Sequence, residues 1–131
     1  MAFGLKKKGQ EGKFVGSIVM NAPFAFALGT NYRTNRAILR QLSENSAVIQ
    51  IPMDTEIPDL RYFDNLPMAF RLPGDQNTWN CHVDITRIYP YDERDNPVYG
   101  MEVLFKGWTK EQQLQMQNYL LALKNSARHA A

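Results

Sequence analysis

Period-two alternation recurs through the middle of this chain and restricts the fold more than any other feature. Side chains on one face of a β-strand repeat every second residue, so alternating apolar and polar positions describe a strand with one buried face. In "APFAFALG", Phe24, Phe26 and Leu28 share a face, with Ala25 and Ala27 on the other. In "SAVIQIP", Ala47, Ile49 and Ile51 point one way and Val48 and Gln50 the other. In "PMAFRLP", Met68, Phe70 and Leu72 alternate with Ala69 and Arg71. In "TWNCHVDITRI", Trp79, Cys81, Val83 and Ile85 alternate with Asn80, His82, Asp84 and Thr86. In "VYGMEVLFKG", Tyr99, Met101, Val103 and Phe105 alternate with Gly100, Glu102 and Lys106. The stretch "YRTNRAILRQL" is less regular, but it lies between turn signals and reads as a strand as well.

The punctuation agrees with that reading. "GTN" at 29–31, "SEN" at 43–45, "PGDQN" at 73–77 and "DERDNP" at 92–97 carry turn chemistry. Residues 53–65 form the longest link, with a short helical turn expected after Pro58. Six strands with short connections predict a mainly β fold, a small antiparallel barrel or sandwich, in which closure hides the strand edges.

The period changes at the C-terminus. Thr109 and Gln112 fit a capping box, and Glu111 sits where the helix dipole favours an acid. Met116, Tyr119, Leu120 and Leu123 follow at helical spacing, and Leu114 and Leu121 are expected to widen the apolar face. A helix of about four turns with one apolar face has to cover something, most simply one opening of a barrel. The domain is expected to span residues 15–125, between a flexible basic arm at 1–14 and a frayed tail at 126–131.

Composition bounds the function. A chain of 131 residues supports one core, and its formal charge of +2 is too small to predict nucleic-acid or membrane binding, so any anion site must be local. The single cysteine, Cys81, excludes an internal disulfide and fits a reducing compartment. No apolar run reaches the ~20 residues of a membrane span. The N-terminal order, with lysines after the small apolar patch, is not that of a secretory signal. The expectation is a cytoplasmic protein without membrane insertion.

Catalytic signatures are missing. The chain has no G-x-S-x-G, H-E-x-x-H, Walker loop, dinucleotide glycine pattern or C-x-x-C. Cys81 and His82 are strand neighbours on opposite faces and cannot share a metal. Asp92, Glu93 and Asp95 lack the spacing of a calcium loop and read as a solvated hairpin tip. A binding or adaptor module is expected, with no enzymatic activity, no cofactor and no metal. The aromatics fall mainly on inward phases, which argues against a DNA- or RNA-binding face.

The order of elements and one short motif resemble the PilZ domain, a bacterial six-stranded barrel that reads the second messenger cyclic di-GMP. The family turn D-x-S-x-x-G-A corresponds to "QLSENSA", where Ser43 and Ala47 match. "RLPGDQNTWNCHVDITRI" is similar to the family's fourth and fifth strands, and "YGMEVLFKGWTKEQ" to its last strand and helix start. The resemblance covers roughly residues 15–123 and implies a six-stranded antiparallel β-barrel closed by a C-terminal α-helix. It also implies cyclic di-GMP as ligand and a protein partner for signalling.

The chain departs from the family pattern at instructive places. Gln41 replaces the motif aspartate and Ser46 its glycine, which weakens the acceptor and adds a side chain at the point of close approach. The family's R-x-x-x-R pair on the arm is missing; Lys6, Lys7, Lys8 and Lys13 stand there instead. "RAILR" spells the pattern with Arg36 and Arg40, beyond the first strand and against the turn, on one face about 13 Å apart. The ligand-binding candidates are therefore Lys7, Lys8, Arg36 and Arg40 toward phosphate, with Gln41, Ser43 and Asn45 toward a base edge and Ser46 beside them. The competing reading makes Ser43, Asn45 and Ser46 ordinary turn chemistry, and Arg33, Arg36 and Arg40 a solvated outer strand face paired with Glu102 or Glu44. A protein adaptor of the same fold without a nucleotide site, working in pilus, flagellar or secretion machinery, is the alternative function.

Overall fold

The alternating stretches pair into one closed antiparallel barrel. The computed structural model describes residues 16–29, 34–53 and 64–130, with side chains through Ser126. The lysine arm, Arg33 and the helical turn expected after Pro58 lie outside the described residues. The strands are β1 (Ile18–Leu28), β2 (Asn35–Leu42), β3 (Ser46–Pro52), β4 (Leu66–Arg71), β5 (Trp79–Glu93) and β6 (Asn96–Lys106). Their order around the barrel is β1-β2-β3-β6-β5-β4, with β4 returning to β1. Every pairing is antiparallel. Full closure leaves no long unpaired rim in the central part of the sheet.

The inward phases expected from the sequence fill the interior. Phe24, Phe26, Leu28, Ile49, Ile51, Met68, Phe70, Leu72, Trp79, Val83, Met101 and Val103 are buried in one cluster, and no polar or charged residue among those described is buried. Tyr99 packs only partly against it. Phe70 is the hub: its ring lies 5.6 Å from Phe24, 6.0 Å from Trp79 and 5.5 Å from Phe105.

The β5–β6 hairpin is longer than its sequence suggests. The expected turn at 92–97 shrinks to Arg94 and Asp95, both left-handed (φ 51° and 68°), because Glu93 still pairs with Asn96. Two central residues with positive φ make a mirror-image turn whose twist suits a hairpin. The alternation is hidden beyond Ile85 because the register shifts between Ile85 and Arg87, which resets the phase.

The last element, α1 (Lys110–Ala130), closes the barrel end ringed by the β2–β3 and β4–β5 turns. Its start is the capping box read from sequence: Gln112 N–H donates to Thr109 Oγ1 (3.1 Å) and Thr109 N–H to Gln112 Oε1 (3.0 Å). Met116 and Leu120 are 0% exposed within the core cluster. Tyr119 donates its hydroxyl to the Pro73 carbonyl, and Gln112 Nε2 donates to the Asn80 carbonyl at 3.2 Å. The Pro73 carbonyl is presented by a tight turn, with Gly74 at φ 79° and Asp75 N–H bonded to Leu72 O at 3.0 Å. Trp108 anchors the strand-to-helix corner, edge-on to Phe105 at 5.0 Å and Trp79 at 5.2 Å. Leu114 corrects the sequence reading: it is 57% exposed, because two residues before Met116 lies on the far side of the helix. The helix also exceeds four turns, with 21 residues.

Candidate functional site

The outer wall around β2 carries the candidate residues, and a bulge decides their arrangement. Leu39 pairs with Ile49 and Gln41 with Val48, so Arg40 has no counterpart on β3. Leu39 and Leu42 both point inward at 0% and 1% exposure although they are three residues apart. The extra residue turns Arg40 and Gln41 together onto the outer face, where strict alternation would have separated them. Arg40 Nη1 donates to Asn21 Oδ1 of β1 at 3.2 Å and lies 3.8 Å from Glu93 Oε2. Neither Glu102 nor Glu44 pairs with Arg40; Glu102 lies 3.5 Å from Arg87, and Glu44 accepts a hydrogen bond from Gln117 Nε2 at 3.3 Å.

The β2–β3 turn next to Gln41 is closed on itself. Ser46 N–H donates to Ser43 Oγ (3.1 Å), the two hydroxyl oxygens are 2.7 Å apart, and Ser43 N–H donates to the Ser46 carbonyl (2.9 Å). Ser43 Oγ also lies 3.3 Å from Asn45 Oδ1. This is the local side-chain-to-backbone bonding that short polar residues bring to turns. Ser46 stands where the PilZ motif has glycine and is the first residue of β3, so no left-handed backbone is required of it. Phe105 N–H bonded to the Asn45 carbonyl (2.8 Å) and the Glu44–Gln117 contact fix the turn to β6 and to α1.

Arg36 does not join this group. It is exposed at the other end of β2, on an open groove of about 470 Å³ lined also by Ile38, Gln50, Pro52, Met53 and Pro97. Lys7 and Lys8 lie outside the described residues. The structure thus brings together Arg40, Gln41 and the Ser43–Ser46 turn, and leaves Arg36 apart.

Sequence reasoning missed the other half of this face. Arg87, Glu102, Val48 and Gln41 are directly opposite one another across β5, β6, β3 and β2. The Arg87 guanidinium stands 4.6 Å over the Tyr89 ring. Tyr89 lies flat against Gly100, where a methyl group would come within 2.6 Å of the ring. Tyr91, 5.9 Å from Tyr89, donates its hydroxyl to Gln50 Oε1 at 3.2 Å. Partial burial raises the Tyr91 phenol above its ordinary value of 10.0, against the lowering influence of Arg40. The only signal in the sequence was Gly100 between two large residues, a mark of close approach.

The remaining chemistry is structural. Burial pushes the Cys81 thiol up to about 12, which leaves it protonated and inert at neutral pH. The Asp84 carboxyl is held below its ordinary range by the Asn65 N–H (2.7 Å) and by Lys106 (3.0 Å). Among the described residues, no group of three or more His, Cys, Asp or Glu side chains could hold a metal ion. No helix among them is long and apolar enough to cross a membrane.

Barrel order, terminal helix and turn position define a PilZ-like fold. Several solved structures share it, and three illustrate the match. The PilZ domain of YcgR from Escherichia coli, with c-di-GMP, matches at TM-score 0.62 and 13% identity over 88% of this chain and 95% of that one. PlzA from Borreliella burgdorferi, in complex with c-di-GMP, matches at TM-score 0.59 and 16% identity over 93% of this chain and 57% of its own. The Bacillus subtilis inhibitor of motility MotI/DgrA matches at TM-score 0.62 and 10% identity over 85% of this chain and 51% of its own. The chain thus spans little more than half the length of the two larger proteins, and at these identities the likeness is one of fold. No protein-family model matches the sequence, and no curated protein is significantly similar to it.

Proposed function

We propose that this domain is a PilZ-like signalling module that binds cyclic di-GMP on the outer wall of β2 and relays its occupancy to a protein partner in the cytoplasm. The observation that carries this reading is the β2 bulge, which sets a guanidinium and an amide side by side against the motif turn. Arg40 would hold a phosphate, and Gln41 would accept from or donate to a guanine edge. Ser43 and Ser46 would frame the turn, since their hydroxyls are spent on each other, while the exposed Asn45 presents its amide. Lys7 and Lys8 would add charge from the arm. The link from Glu44 to Gln117 offers a route for the signal, because it joins the turn to α1. No step in this reading requires covalent chemistry, a cofactor or a metal.

A calorimetric titration with cyclic di-GMP tests it. Saturable one-site binding is expected, and Arg40→Ala should weaken it by about 1.5–3 kcal/mol, the worth of a charged hydrogen bond. Unchanged affinity in the variant would remove Arg40 from the site.

The second reading, a PilZ-fold adaptor without nucleotide, is favoured by a specific observation. Arg40 is already engaged by Asn21 and Glu93, and Gln41 lacks the charge of the motif aspartate. A titration that stays flat for the native chain selects the adaptor.

A further inference from the structure

The family-type arginine pair is missing from the arm, yet a symmetric dinucleotide carries two phosphates and needs more than Arg40. The outer wall has a second guanidinium in register with the first site. Arg87 is at one end of the row Arg87, Glu102, Val48, Gln41, with three strand spacings between its ends, about 14 Å along the sheet. The floor next to Gln41 is low, because Val48 is a small half-buried side chain. Each end carries the same chemistry, an arginine beside a carboxylate: Arg40 with Glu93 at 3.8 Å and Arg87 with Glu102 at 3.5 Å.

We infer that Arg87, stacked on Tyr89, is the second phosphate-binding cation of the cyclic di-GMP face, opposite Arg40. This rests on the receptor reading given above. Three features suit Arg87 to the role. Its side chain is 63% exposed, so the contact with Glu102 is a weak, solvated ion pair that an anion can displace. Tyr89 orients the guanidinium from below and is itself held down on Gly100, so the fork stays raised above the sheet. Once released, the Glu102 carboxylate is a pure acceptor that matches the N1–H and N2–H₂ donors of guanine. Tyr89 is a positioning residue here, and Arg87 touches the ligand.

The test is the affinity of the full chain for cyclic di-GMP in four forms: native, Arg87→Ala, Arg87→Lys and Lys124→Ala. Lys124 is exposed on α1 and controls for the loss of one positive charge away from the face. Arg87→Ala should weaken binding roughly tenfold or more, Arg87→Lys should recover part of the loss, and Lys124→Ala should stay within about twofold of native. Equal affinity of Arg87→Ala and native would overturn this assignment and leave the receptor reading intact. Equal losses in Arg87→Ala and Lys124→Ala would overturn it too, by reducing the effect to net charge. No binding by the native chain would overturn both. An amide spectrum of each variant that overlays the native one away from the mutated site shows that folding is not the cause.

Discussion

Replacing Leu120 by alanine tests how α1 is fixed. The side chain is 0% exposed and belongs to the main core cluster, so the helix closes the barrel by direct burial. Alanine removes three carbon groups, each worth about 0.8 kcal/mol of transfer free energy. The surrounding strands can only partly collapse onto the space, which adds a cavity cost and brings the total to about 3–4 kcal/mol. With an unfolding entropy of about 2.1 cal/mol/K per residue, a domain of this size loses roughly 10–14 °C in Tm. Leu114→Ala is the matched control, since that leucine is 57% exposed on the opposite side of the helix. It should change stability by no more than ~0.5 kcal/mol. Thermal unfolding followed by circular dichroism and by tryptophan emission measures both, because Trp79 and Trp108 pack together at the closed end. Equal and small effects of the two substitutions would refute the burial argument, and with it the role of α1 as the barrel's seal.

Two further predictions follow from the titratable groups. Cys81, buried and with its thiol pushed up to about 12, should react with a neutral alkylating reagent only as fast as the barrel opens, and at the rate of a free thiol once denaturant is added; fast labelling of the native protein would contradict this. Asp84 has a depressed folded pKa, chiefly through the Asn65 N–H, so its contribution is complete above the ordinary value of 3.8 and disappears as pH falls through the lower folded value. A Tm-against-pH series should therefore show a shallower acid limb for Asp84→Asn than for the native protein, and parallel limbs would show that Asp84 plays no part.

The fold was legible wherever packing alone set the pattern. Phe24, Phe26 and Leu28, and equally Trp79, Cys81 and Val83, had to alternate because one face of each strand meets the core. Thr109 and Gln112 were legible because a capping box is local. The candidate site was legible only in part. A bulge inserts one residue and resets the phase, and no residue type marks it reliably, so the pairing of Arg40 with Gln41 on one wall could not be read from "RAILRQL". The same event near Thr86 hid the outward run of Arg87, Tyr89 and Tyr91. Arg36 and Arg40 looked equivalent in sequence, but only Arg40 lies against the turn. Leu114 was misread because apolar character was counted without its angle around the helix, which sets it opposite Met116 and Leu120.

The backbone amide spectrum, recorded while cyclic di-GMP is added, tests the central claim most directly because it reports location as well as binding. The account predicts shifts concentrated on Arg40, Gln41 and Val48, extending across the sheet to Glu102 and Arg87, with smaller changes at Gln117. A spectrum unmoved at millimolar ligand, or changes confined to the groove around Arg36 and Pro97, would contradict it.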